Sequence, residues 1–166
     1  MRVTLCKTLL LFGFLVVSHI AISQTPIEFN NKLVSVNDSL FIMGQQWGKK
    51  FNEVKPVKEY SKLASARQQL ESYITRKLAE VRSMKDVAGS KEFREGMIDF
   101  LLFERKLIEV GFKPIEKLTG SSTDAEVKTA IDGLIQASKD ENTKLETFRK
   151  LQAAYAEKNG FKIEGQ

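Results

Sequence analysis

Residues 25–51, TPIEFNNKLVSVNDSLFIMGQQWGKKF, decide the fold class. The stretch opens with Thr25, Pro26 and Glu28. A threonine N-cap, a proline at the first helical position and a glutamate three residues after the cap make a capping box, with the proline where a missing N–H is no loss. Apolar residues then recur at Phe29, Leu33, Val36, Leu40, Met43, Trp47 and Phe51. The alternation of four and three is the stripe of a helix that buries one face. Gly44 and Gly48 lie along this helix, and their small size predicts a close approach by a neighbouring helix, at some loss of local helix stability. Asn37-Asp38-Ser39 has the form of a glycosylation triplet but falls in mid-helix and carries little weight.

Three more helices follow. Lys55-Pro56 ends the first, because a residue before proline is pushed out of helical geometry. The second is predicted from about Val57 to Ala88, with Tyr60, Leu63, Leu70, Ile74, Val81 and Met84 inward and Ala66 and Ala88 as small fillers. Gly89-Ser90 ends it and supplies the next N-cap. The third carries Phe93, Met97, Phe100, Phe103, Leu107 and Val110, broadened by Ile98, Leu101, Leu102, Ile108 and Phe112. So wide an apolar surface predicts the most buried helix or a homo-oligomer contact through it. Gly111 and Pro114 kink or end it, with Ile115 and Leu118 as a last turn. After the loop Thr119–Ser122, Thr123 and Glu126 form a second capping box. The fourth helix bears Val127, Ile131, Leu134, Leu145, Phe148, Leu151 and Tyr155. Asn159-Gly160 and Phe161 have the pattern of a Schellman cap. No segment has strand periodicity. Helices of about 28–36 residues, about 42–54 Å long at 1.5 Å per residue, joined by short loops, predict an all-α, antiparallel up-down-up-down four-helix bundle.

Upstream, residues 1–23 read as a signal peptide. Arg2 and Lys7 make a positive start, Leu9–Val17 is a short apolar run, and Ala21-Ile22-Ser23 is a small-x-small cleavage site. The run is too short for a membrane span. Cys6 precedes it and is not placed to carry a lipid anchor, so the expected location is periplasmic or secreted. Residues 24–166 then form a single bundle domain. The only cysteine, Cys6, and the only histidine, His19, fall in the removed part. A mature chain without thiol or imidazole excludes Cys and Ser–His nucleophiles and ordinary zinc or haem ligation. No cofactor or metal is expected, and the reading leans away from an enzyme.

The close of the chain, Phe148 to Ile163 (FRKLQAAYAEKNGFKI), with Phe29 to Val34 (FNNKLV) and a signal ending Ser23-Gln24, resembles a family of exported four-helix-bundle surface proteins and lipoproteins of Bacteroidetes-type Gram-negative bacteria. The resemblance implies a helical bundle at the cell envelope and assigns no activity. Lipidated members carry an anchoring cysteine, which this chain lacks.

Two groups of residues are candidate sites. The first is a polar layer. On a helical wheel Glu104 falls amid the apolar arc of the third helix, and Ser138 and Asn142 interrupt the stripe of the fourth. Folding those helices about Ser121 puts Glu104 and Ser138 at one height. Lys77 takes an inward position near that level on the second helix. A buried carboxylate is costly alone, so Glu104 is expected to pair with Lys77 and to have a lowered pKa. Such a layer sets helix register, or forms a small pocket for a ligand. The second group is a basic face. Residues 55–91 hold nine basic and four acidic residues, and Lys58, Lys62 and Arg76 are its candidate contacts for an anionic envelope component. Glu92, Glu95 and Asp99 lie along one helix edge and read as a solvated face. After removal of residues 1–23, 24 basic and 21 acidic residues remain, a balance that argues against nucleic acid.

These residues support a non-enzymatic binding or structural protein, with a protein partner also open. The alternatives are a carboxylate-dependent hydrolase or metal-binding protein, and a small-ligand carrier with an interhelical pocket. Converging carboxylates in a cleft mark the enzyme, and an interhelical cavity marks the carrier.

Overall fold

Thr25 caps the first helix, α1 (Pro26–Val54), in the predicted way. The Glu28 N–H donates to Thr25 Oγ1 at 3.2 Å, and the Thr25 N–H donates to Glu28 Oε2 at 2.8 Å. Thr123 and Glu126 repeat the arrangement at the start of the last helix. The computed structural model describes residues 24–163, and their regular structure is entirely helical, without a strand among the described residues. Residues 1–23, expected to be a signal peptide, lie outside the described residues. Four helical segments carry the core. They are α1, a 3-10 turn Tyr60–Leu63 running into α2 (Ala64–Ser83), α3 (Lys91–Leu107) continued by a π-helical turn Ile108–Phe112 and the short α4 (Lys113–Glu116), and α5 (Asp124–Lys158). No described helix is long and apolar enough to cross a membrane.

The core follows the predicted stripes with definite exceptions. Phe29, Leu33, Val36, Leu40 and Trp47 of α1 are buried, as are Leu70, Ile74, Leu78 and Val81 of α2. Leu78, four after Ile74 and three before Val81, holds the inward position that the wheel assigned to Lys77. On α3 the broad apolar surface is taken up within the chain, since α3 packs against both α2 and α5. Val110 was expected inward but is 48% exposed. The cause lies four residues on. Pro114 has no N–H and crowds the preceding turn, and the turn before it widens so that the Lys113 N–H reaches Ile108 O. That widening directs Val110 outward and Phe112 inward.

The second helix ends at Ser83, short of the predicted Ala88. Side chains take over the backbone groups of the loop that follows. Arg94 Nη1 donates to Met84 O at 2.6 Å, Tyr155 Oη donates to Val87 O at 2.9 Å, and the Val87 N–H donates to Ser90 Oγ at 3.0 Å. Ser90 was expected to cap α3, but its hydroxyl is committed to this loop and to Asp86. Ala88 and Gly89 both have left-handed backbone, with φ of 51° and 77°, which is why neither continues a helix.

At the other end of α5 the predicted Schellman cap forms. Gly160 has φ 69°, the Phe161 N–H donates to Ala156 O, and the Gly160 N–H donates to Glu157 O. The Phe161 ring meets Tyr155 edge-on at 5.9 Å. A buried polar contact joins the outer helices, where Gln152 Nε2 donates to Asn30 Oδ1 at 2.9 Å.

Candidate functional site

Between α1, α3 and α5 lies a cavity of about 600 Å³. Gly44 and Gly48 of α1 face it, and a Cβ added at either would meet nothing within 4 Å. The two glycines were expected to bring a helix close. They instead leave open space on α1 between the side chains that line the cavity. Leu40 from α1, Leu70 from α2, Phe100 and Leu107 from α3, and Leu134 and Leu145 from α5 supply apolar walls. Phe112 lies flat against Trp47, and Phe41 stands at the rim, 64% exposed.

The polar groups on this lining are few. Trp47 is 2% exposed, and its Nε1–H has no hydrogen-bond partner. Glu104 is 6% exposed, and its Oε1 is buried without a donor. Facing it is Glu141 of α5, close enough for the two carboxyls to share a proton. Two ionised carboxylates have no hydrogen to offer each other, so the contact becomes a hydrogen bond only when one of them is protonated. Burial first, then the neighbouring Glu141, pushes the Glu104 carboxyl up to about 8. Burial raises the Glu141 carboxyl as well, offset in part by the hydrogen bond from Glu104. At neutral pH Glu104 is the protonated member and Glu141 the acceptor. Ser138, Asn37, Asp38, Gln45 and Arg149 complete the polar lining.

The structure thus brings Glu104 and Ser138 to one cavity and leaves out the other two members of the predicted layer. Lys77 does not pair with Glu104. Its Nζ donates to Glu80 Oε2 at 2.8 Å, and Lys32 of α1 reaches the same carboxylate at 2.9 Å. Asn142 is exposed and outside the cavity lining. With a carboxyl rather than an ammonium as neighbour, the expected lowering of the Glu104 pKa reverses, because both burial and a like charge favour the neutral acid. Glu141 carried a signal that the wheel reading passed over. It lies seven residues after Leu134 and seven before Phe148, in the middle of the inward stripe. Trp47, read only as core, has a second role as an unpaired donor. Nothing in the periodicity separates those two roles.

On the predicted basic face, Lys58 sits in the turn after α1 with a left-handed φ of 54°, Lys62 on the 3-10 turn pairs with Glu59, and Arg76 on α2 stacks over the Tyr73 ring at 5.5 Å. Fourteen residues separate Lys62 from Arg76, about 20 Å along a helix. Other cations of the segment are engaged within the chain. Arg67 pairs with Glu71, and its Nε donates to Glu116 at 2.7 Å. The three candidates do not converge on one point.

Glu92, Glu95 and Asp99 line an exposed edge of α3. Among the described residues, no group of three or more His, Cys, Asp or Glu side chains is placed to hold a metal ion. Compared with protein-family models, with curated proteins and with solved structures, the chain matches none.

Proposed function

We propose that this protein is an exported binding protein that takes a small amphipathic molecule between its helices. The cavity carries the reading. It combines apolar walls with two buried polar atoms, Trp47 Nε1 and Glu104 Oε1, that lack partners. An unsatisfied buried donor or acceptor costs about 1–3 kcal/mol, and a ligand offering a complementary group removes that penalty. A few convergent polar groups in an apolar interhelical pocket of 300–1,000 Å³ are the usual form of a small-molecule site.

The finer architecture in this reading is an antiparallel up-down-up-down four-helix bundle. The contacts of α1 with α2, α2 with α3, α3 with α5 and α5 with α1 support it by closing a ring. So does the contact between Asn30 near the start of α1 and Gln152 near the end of α5. In the same reading residues 1–23 direct export and are cleaved after Ser23, leaving the bundle periplasmic or secreted at the envelope. Intact mass of the exported protein should then equal that of residues 24–166.

The test of binding is uptake of N-phenylnaphthylamine, an uncharged fluorophore that brightens in apolar sites. Wild-type protein should take it up. Gly48→Leu, which places a side chain into the open cavity, should not. Equal uptake by both proteins would remove the cavity from consideration.

A second reading has one observation in its favour. Paired carboxyls in a cleft are the expected mark of a carboxylate-dependent hydrolase. Glycoside hydrolases hold their carboxyls about 5 Å or more apart, and this pair is near enough to share a proton. A pair that shares a proton is the arrangement of the aspartic-protease type. Peptide turnover that disappears in Glu104→Gln would establish it, and a protein that binds without turnover would exclude it.

A further inference from the structure

We propose that the occupant of this cavity is a primary organic amine, bound through its ammonium group to Glu104 and Glu141 with its hydrocarbon body against the walls from α1, α3 and α5. This deepens the reading of the cavity as a small-molecule site and rests on it.

Three observations select the charge. Glu104, the one buried oxygen-bearing side chain on the lining, and Glu141 facing it are both carboxyls, and Glu104 Oε1 lacks a donor that an N–H would supply. The ionisable groups lining the cavity are Asp38 from α1, Glu104 from α3, and Glu141 and Arg149 from α5, while α2 contributes only Leu70 and the π-helical turn only Phe112. Three carboxyl groups against one guanidinium, with Glu104 able to give up its proton to an arriving cation, disfavour a carboxylate or phosphate ligand and favour a cation. Lys77, the one cation that the sequence placed near Glu104, is held away by Glu80. Among the described residues no salt bridge reaches the acidic pair, and Arg149 is the one cation on the same lining.

Aromatic groups add to the fit. Phe100 and Phe112 form part of the lining, and a ring face attracts a desolvated cation. The Trp47 Nε1–H points to a ligand that also carries an acceptor, such as a hydroxyl or carbonyl, on its body.

Binding on these terms exchanges one cation for another. The shared proton leaves the carboxyl pair as the ammonium arrives, so the free site plus R–NH3+ becomes the occupied site plus H+. Charge and protons balance without a co-reactant. An ammonium that binds only the ionised pair competes with that proton. With the Glu104 carboxyl at about 8, affinity should rise about 50-fold from pH 6 to pH 8 by mass action on the competent fraction.

The experiment titrates the full exported chain with octylammonium, octanol and octanoate, three probes of one length and different charge. Trp47, the only tryptophan, reports by fluorescence. Calorimetry in two buffers of different ionisation enthalpy counts protons. The proposal expects octylammonium to bind most tightly, about 50-fold better at pH 8 than at pH 6, with close to one proton released at pH 7. Glu104→Gln should weaken octylammonium at least tenfold and weaken octanol far less. Glu141→Gln serves the same purpose should the first variant fail to fold. If octanol or octanoate binds as well as the amine, or if amine binding ignores both substitutions, the ammonium assignment is overturned while the cavity reading stands. If no probe perturbs Trp47 in folded wild-type protein, both fall.

Discussion

Trp47 and Phe112 lie face to face, ring centroids 4.1 Å apart and planes 9° from parallel, and this stack joins the C-terminal part of α1 to the π-helical turn before Pro114. Phe51 stacks on the same indole at 5.6 Å. The contact exists because the widened turn aims Phe112 inward, so a proline at position 114 shapes a cavity wall that it does not itself line. Stacked aromatic pairs contribute about 0.5–1.5 kcal/mol beyond the area they bury.

Phe112→Ala should therefore destabilise by about 3–5 kcal/mol, the usual loss for deleting a buried phenylalanine. It should also shift Trp47 emission to the red as water reaches the indole. Urea unfolding followed by circular dichroism and by fluorescence reads both effects. A stable variant with unchanged emission would mean that the stack does not seal this wall.

Stability should fall as pH rises between about 5 and 8. An unfolded glutamate loses its proton near 4.5, whereas folded Glu104 keeps it to about 8. In that interval the folded state holds the extra proton, so the contribution is fully present below about 4.5 and is lost through 8, at up to about 1.4 kcal/mol per pH unit. The raised Glu141 acts in the same direction. Glu80, lowered by its hydrogen bonds from Lys77 and Lys32, acts oppositely, and its contribution fades as pH falls through the acid range. Urea midpoints at pH 5 and pH 8.5 should differ for wild type and converge for Glu104→Gln. A wild-type midpoint that is flat or rising over this range would contradict the proton-sharing pair. Pairing with Lys77 would have made Glu104→Ala strand a buried cation. With no cation there, the truncation leaves Glu141 relieved of a like charge and should cost much less than 3–5 kcal/mol.

Asn30 and Gln152 should behave as a coupled pair. Both are buried, and their amides bond at 2.9 Å across α1 and α5. Asn30→Ala or Gln152→Ala leaves the other amide unsatisfied and should cost about 1–3 kcal/mol, while replacing both with leucine should approach neutrality. A double-mutant cycle by chemical denaturation measures the coupling. Strictly additive single losses would show that the bond contributes nothing to register.

The helices were legible because their signals are local. Thr25, Thr123 and Gly160 act through neighbours three to five residues away, and the apolar stripes need only a period. Glu104 was legible as a buried acid for the same reason, since its place on the α3 stripe does not depend on its partners. Its partner was not. Lys77 and Leu78 are adjacent, and choosing between them takes the rotation of α2, which tertiary packing sets. The end of α2 at Ser83 escaped because Arg94 and Tyr155, from elsewhere in the chain, capture the loop carbonyls. The cavity itself leaves no trace in periodicity, because a glycine facing open space and a glycine under a neighbouring helix look alike in sequence.

That last ambiguity yields a contrasting pair of predictions. Gly44 and Gly48 lie within α1 with nothing inside 4 Å of an added Cβ, whereas a Cβ on Gly96 of α3 would stand 2.4 Å from Leu151 Cδ1. Alanine in a helix interior is favoured over glycine by about 0.5–1 kcal/mol. Where space is open that gain is kept, so Gly44→Ala and Gly48→Ala should each raise the unfolding midpoint. At Gly96 the end of the half-buried Leu151 side chain must move aside, which sets a repacking cost against the gain in propensity. Gly96→Ala should therefore raise the midpoint less than the other two, or lower it. Thermal melts of the three variants separate the cases. If Gly44→Ala and Gly48→Ala destabilise, a helix or another chain covers α1 at those positions, and the cavity is closed in solution.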